Sequence, residues 1–168
     1  VGADGVVDMG AAAQAIRPSV ALVAVMLVNN EIGVIQPVTA LAELAHRAGA
    51  LLLCDAVQGY GRAPIPDTCD MVAISAHKIH GPKGVGALWL RDGVKPTPLL
   101  HGGGQEGGLR SGTLSPALCA GFGVAARLMR ERAEADHAHI ESLADFARSL
   151  FADWTINGSM TTRYPGNL

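Results

Sequence analysis

Three apolar runs in this chain each stop abruptly on polar residues, and that repeated pattern restricts the fold more than any other feature. Val20–Val28 ("VALVAVMLV") gives way to Asn29-Asn30-Glu31, Ala50–Cys54 ("ALLLC") ends at Asp55, and Asp70–Ser75 ("DMVAIS") runs into His77-Lys78. Short continuous apolar runs between polar segments read as strands buried on both faces. After the first run, Thr39 can cap a helix through "ALAELAHRA", with Leu41, Leu44 and Ala45 on one face and Gly49 at its end. Strand, helix, strand in this order predicts an α/β fold, a mostly parallel sheet with flanking helices. In open sheets of that kind ligands bind outside the C-terminal strand ends, where Asn30, Asp55 and Ser75 fall.

A fourth run, Gly84–Leu90, follows closely enough to be an antiparallel neighbour. Upstream, Asp8 predicts the cap of a short helix that Pro18 stops. A glycine-dense loop, "HGGGQEGGLRSGT" (His101–Thr113), precedes a long helical region that Ser115 and Pro116 open and that runs to about Trp154. Gly121 and Gly123 weaken its first part, and the charges of "RERAEADHAHIE" predict a stretch that is solvated or bridges two domains.

Composition narrows the function. Charged residues make up 17% of the chain, below the ~25% usual for soluble domains, and apolar ones 49%, which favours a buried core over disorder. A net charge of −2 provides no broad basic field for nucleic acid or an anionic membrane. The longest apolar run is far short of the ~18 residues of a membrane span, and no secretion signal is visible, so a cytoplasmic location is expected. Cys54, Cys69 and Cys119 are odd in number and widely spaced, which makes neither a disulfide framework nor a metal site. Val1 is not a methionine and Leu168 follows "RYPGN" as though a strand were starting, so a piece of a longer protein is expected.

Two residues carry the chemical hypothesis. A lysine amine becomes a nucleophile, able to form a Schiff base, where burial or neighbouring cations favour its neutral form; Lys78 stands between His77 and His80. The plain alternative is a solvated lysine in a surface turn. Asp55, at the end of an apolar strand, needs a compensating partner. That partner could be an arginine, a helix N-terminus, or the protonated ring nitrogen of pyridoxal phosphate (PLP).

The segments "NNEIGVIQPV" (Asn29–Val38), "CDAVQ" (Cys54–Gln58), "SAHKIHGPKGVGAL" (Ser75–Leu88) and "HGGGQEGGLRSGT" together resemble the cysteine desulfurases of the NifS/IscS type, PLP enzymes of the class V aminotransferase group. The resemblance implies that Lys78 holds PLP covalently and moves protons at the substrate α-carbon, and that Asp55 pairs with the ring nitrogen. It implies that Gln58 and Asn30 bond the phenolic oxygen or the substrate, and that Ser75, the Ala76 backbone and His77 bind the phosphate. Thr113 would reach the phosphate of a partner subunit, which implies a homodimer. By the same resemblance, residues 1–140 form the central part of a fold-type-I PLP-binding large domain. Residues 141–168 would be a linker helix and the start of a small C-terminal domain. The implied reaction converts L-cysteine to L-alanine and hands the sulfur on as a persulfide to a sulfur acceptor or iron–sulfur scaffold protein. The sulfur-accepting cysteine, the ring-stacking histidine and the carboxylate-binding arginine of the family have no counterpart here. Gly107 replaces the arginine usual in the family's glycine-rich loop. Two other readings stay open: another PLP enzyme of the same fold, or a non-catalytic α/β binding module.

Overall fold

In the computed structural model, which describes all of residues 1–168, the apolar runs become strands β1 (Leu22–Met26), β2 (Leu51–Asp55), β3 (Met71–Ser75) and β4 (Gly86–Leu90). They lie in the order β1-β2-β3-β4; the first two pairings are parallel and the last is antiparallel, as the short β3–β4 connection requires. Helix α2 (Val38–Arg47) makes the crossover from β1 to β2. Its buried residues Leu41, Ala42 and Ala45 join a core with Leu52, Cys54 and Val72 of the sheet.

The register decides which side chains share a face. Met26, Asp55, Ala73 and Leu88 are mutual partners, whereas Val25, Cys54, Val72 and Trp89 form the adjacent row. Successive side chains alternate across a sheet, so these two rows point in opposite directions. The Cys54 row lies under α2. The Asp55 row is open, with Leu22, Leu51 and Leu88 of the same face 45%, 38% and 50% exposed. The expectation of strands buried on both faces is thereby corrected: this chain supplies cover for one face only. The accessible surface of 10298 Å² exceeds the roughly 7,800 Å² of a compact monomer of 17.3 kDa, and this open face is one contributor to the excess.

Other elements follow local chemistry. Asp8 caps α1 (Met9–Ala15), its carboxylate accepting from the amides of Gly10 and Ala11 at 2.8 and 2.9 Å. Those two amides also hold its pKa below the ordinary carboxylate value. The expected cap at Thr39 is corrected: Pro37 occupies the cap position, and Thr39 lies exposed inside α2. A proline with its φ already near helical values starts the helix without any side-chain acceptor. Helix α3 (Pro116–Leu150) has 35 residues. It passes unbroken over Gly121, where a Cβ would come 3.1 Å from Pro82 Cγ, so the glycine sets a close approach. Its charged middle is exposed and laced by i,i+4 pairs such as Arg127–Glu131 and Arg132–Asp136. The helix stops at Leu150, short of the expected Trp154, whose ring instead packs on Phe151 at 5.2 Å between centroids.

The chain end then returns to its beginning. The Ile35 amide donates to the Thr162 carbonyl at 2.8 Å, the Tyr164 amide to that of Gly33 at 2.9 Å, and Tyr164 sits in the main core. At the opposite edge of the sheet from the polar strand ends, buried Asp70 ties three elements. It pairs with His46 of α2 at 2.8 Å, accepts from the Leu52 amide at 2.7 Å and faces Arg91 at 3.3 Å. No helix is long and apolar enough to cross a membrane.

Candidate active site

β2 delivers Asp55 and β3 delivers Ser75 to the same edge. Asp55 is in register with Ala73, two residues before Ser75, so carboxylate and hydroxyl project from the open face. One oxygen of Asp55 accepts the Val57 amide at 3.0 Å; the other takes no hydrogen bond from the protein. The turn that this bond fixes carries Gln58, whose side-chain oxygen is buried without a partner. An orphaned buried amide oxygen costs about 1–3 kcal/mol, so this atom is set up for a donor that the chain itself does not provide.

Past Ser75 the backbone enters a 3₁₀ turn, Ala76–Ile79, that carries His77 and half-buried Lys78. Ser75 Oγ and His77 Nδ1 lie 2.8 Å apart. The first two amides of a 3₁₀ turn have no partner within it. That of Ala76, expected to face a phosphate, is instead donated to the Val85 carbonyl at 3.1 Å because the β3–β4 pairing continues one residue past the strand. The His77 amide remains free, beside a hydroxyl and an imidazole. The turn closes on His80 in the left-handed region at φ 64°.

Arg62 was not foreseen from the sequence. Its guanidinium donates to the Lys78 carbonyl at 2.9 Å and to the Gln58 carbonyl at 3.2 Å, while lying 5.5 Å from the centroid of the Tyr164 ring. Lys78, Arg62, Tyr164 and Met129 border a cavity of about 450 Å³ between this turn and α3.

The remaining expected residues are placed differently. Asn30 is exposed just beyond β1 and its side-chain amide donates to neighbouring Glu31 at 2.8 Å. Thr113 is exposed at the end of the glycine-rich loop, and no hydrogen bond joins it to the strand-end cluster. That loop is not slack. Ser111 is buried and its hydroxyl accepts from the Gly104 amide at 3.3 Å, and Gln105 Oε1 accepts from the Gly112 amide at 2.9 Å. Gly107 stands at φ 65°, where an L side chain is disfavoured, so the backbone here matches the glycine rather than the arginine usual in the family.

Asp55 with a free oxygen, the orphaned Gln58 oxygen, and the Ser75–His77 pair with its free amide form a graded set: anion, amide, then anion receptor. These residues fit a flat pyridine ring bearing a phosphate, with Lys78 in the adjoining turn. The aminotransferase class-V profile matches residues 1–157. The chain belongs to the aminotransferase class-V family.

Among curated relatives of this family member, the mitochondrial cysteine desulfurase of Eremothecium gossypii is 48% identical over 174 residues, covering 99% of the chain and 36% of the relative. That of Saccharomyces cerevisiae is 48% identical, with 96% and 34% covered. Cysteine desulfurase IscS of Rickettsia bellii is 42% identical, with 98% and 42% covered. The chain therefore spans roughly a third to two-fifths of these relatives' length. Among solved structures, a NifS-like protein superposes with a TM-score of 0.90 at 34% identity, over 97% of this chain and 47% of the other. DndA from Streptomyces lividans gives 0.87 at 34% identity, over 98% and 49%.

Proposed function

We propose that the full-length protein is a PLP-dependent cysteine desulfurase. The observation that carries this reading is the placement of Asp55, Gln58, Ser75 and His77 around one open strand-end edge, with Lys78 on the turn that leaves it. Relatives bearing the desulfurase name add the substrate. PLP, when bound, would supply an electron sink for the pair released at the substrate α-carbon.

This chain's residues would do the following. Asp55 holds the pyridine nitrogen in its protonated form through its free oxygen. Gln58, with Asn30 near the strand-end rim, bonds the ring's phenolic oxygen or the substrate. Ser75, His77 and the free His77 amide bind the phosphate dianion. Lys78 anchors the cofactor and then carries a proton to and from the substrate α-carbon. Thr113 reaches across a homodimer interface to the partner's phosphate. Residues 1–140 would be the central part of the cofactor domain, and 141–168 the link to a second domain.

In the reaction, an enzyme thiol attacks the sulfur of L-cysteine, the carbon–sulfur bond breaks, and the carbon gains a proton. Free cysteine plus thiol thus becomes L-alanine plus persulfide, with no external oxidant. The attacking thiol is proposed to lie outside residues 1–168. Cys54 is fully buried, and burial together with neighbouring Cys69 pushes its pKa to about 12. Cys69 is buried too, and burial raises its pKa as well. Neither presents a thiolate, and exposed Cys119 is fixed in the first turn of α3 rather than on a mobile loop. The persulfide would pass to a sulfur acceptor or iron–sulfur scaffold protein, in the cytoplasm.

The test uses the full-length protein loaded with PLP and L-cysteine. Alanine and thiol-bound sulfur should appear in equal amounts, and Lys78→Ala should remove both along with the visible cofactor band. A keto acid in place of alanine would redirect the assignment to an aminotransferase.

A further inference from the structure

Arg62 touches none of the groups assigned above by their side chains, yet it grips two of them through the backbone. One nitrogen donates to the Gln58 carbonyl and another to the Lys78 carbonyl, at 3.2 and 2.9 Å. Gln58 belongs to the loop after β2 and Lys78 to the turn after β3. The guanidinium therefore spans the gap between the two segments that present the orphaned amide and the amine. Its planar fork fixes both distance and angle, which a single flexible ammonium does not.

The fork is itself held. Tyr164, 5% exposed, lies under the guanidinium at 5.5 Å and belongs to the main hydrophobic core. Stacking on an aromatic face leaves the in-plane donors free for the two carbonyls. Tyr164 is fixed in turn by the hydrogen bond that its backbone N–H donates to the Gly33 carbonyl in the β1–α2 connection. Met129 of α3 approaches the same segment at Gly61, where a Cβ would fall 1.8 Å from its sulfur, so the backbone beside the arginine is pressed against α3.

We propose that Arg62 is a positioning residue that sets the Lys78 turn against the Gln58 loop, and that Tyr164 holds it in register. This rests on the cofactor reading above. The chemistry needs the amine and the amide at neighbouring places on one ring, the amine at the carbonyl carbon and the amide at the phenolic oxygen or substrate beside it, and an error of about 1 Å in such placement can cost about a hundredfold in rate.

The experiment uses the full-length protein stripped of PLP and then reloaded. In Arg62→Met and Arg62→Gln, thermal unfolding of the cofactor-free protein is compared with wild type, followed by the rate at which added PLP develops its visible band and by the band's circular dichroism. Either folded variant should reload roughly tenfold to a hundredfold more slowly, with weakened visible dichroism and a fall in kcat larger than the rise in KM. Arg62→Lys should recover only part of the loss, because one ammonium does not reproduce the fork. Tyr164→Leu should give a smaller change in the same direction. Wild-type reloading rate and dichroism in a folded neutral variant would overturn the role of Arg62 while leaving the cofactor reading intact. A wild-type protein that never develops the band would overturn both.

Discussion

Asp70 is a carboxylate only 4% exposed, which burial alone would drive toward its neutral form. The Leu52 amide, His46 and Arg91 outweigh that cost and hold its pKa below the ordinary value. A carboxyl whose folded pKa is depressed adds stability above its unfolded pKa of about 3.9, and that stability disappears as pH falls through the folded value. Urea unfolding of the full-length protein should therefore weaken between about pH 5 and 2, and Asp70→Asn should flatten that slope. At neutral pH, Asp70→Ala should cost about 3 kcal/mol by leaving a backbone amide and Arg91 without their acceptor. A variant as stable as wild type at pH 7 would mean that the network contributes nothing net. At this scale the sequence was partly legible. Asp55, Ser75 and Lys78 stood out because polarity at the end of an apolar run is costly without a purpose. Arg62 did not stand out, because its partners are backbone carbonyls, and every residue has one.

Among the elements, β4 carries the most pointed constraint. Gly86 faces Ser75, and a Cβ there would come 2.6 Å from the Ile74 carbonyl oxygen, which is backbone and cannot step aside. Gly86→Ala should cost about 1–3 kcal/mol and hasten PLP loss, by pushing β4 away from the strand that carries Ser75, the hydroxyl we propose for the phosphate. Gly123, inside α3 with open space around it, offers the contrast. Gly123→Ala should stabilise by roughly 0.5–1 kcal/mol through helix propensity, without altering cofactor retention. Thermal melts and the PLP dissociation rate read both; equal behaviour of the two variants would remove the steric account. The strands and helices themselves were legible from periodicity, whereas the start of α2 was not. Thr39 offered the usual side-chain acceptor, but proline at the preceding turn fixed the entry first.

For the molecule as a whole, area is the informative quantity. The surplus over a compact monomer is about 2,500 Å², and the open face of the sheet, with Leu22, Leu51 and Leu88, contributes to it. We expect residues 1–168 expressed alone to bind an apolar dye and aggregate beyond a dimer at micromolar concentration, and the full-length protein to stay dye-silent and no larger than the proposed homodimer; a monodisperse, dye-silent 168-residue chain would argue that this face is content in water. The sequence could not announce this. An apolar strand is written identically whether its cover lies within the chain or elsewhere.

Helix α3 leaves the lysine turn near Ala125, where Gly81 packs against it, and extends to Leu150 with Phe146 and Leu150 each 62% exposed. A rod of 35 residues is about 52 Å long, and about 38 Å of it, from Ala125 to Leu150, lies beyond that contact. Ile140 and buried Ala144 pin that stretch to the body, so it is the apolar tip alone that is left for a neighbouring element to clasp.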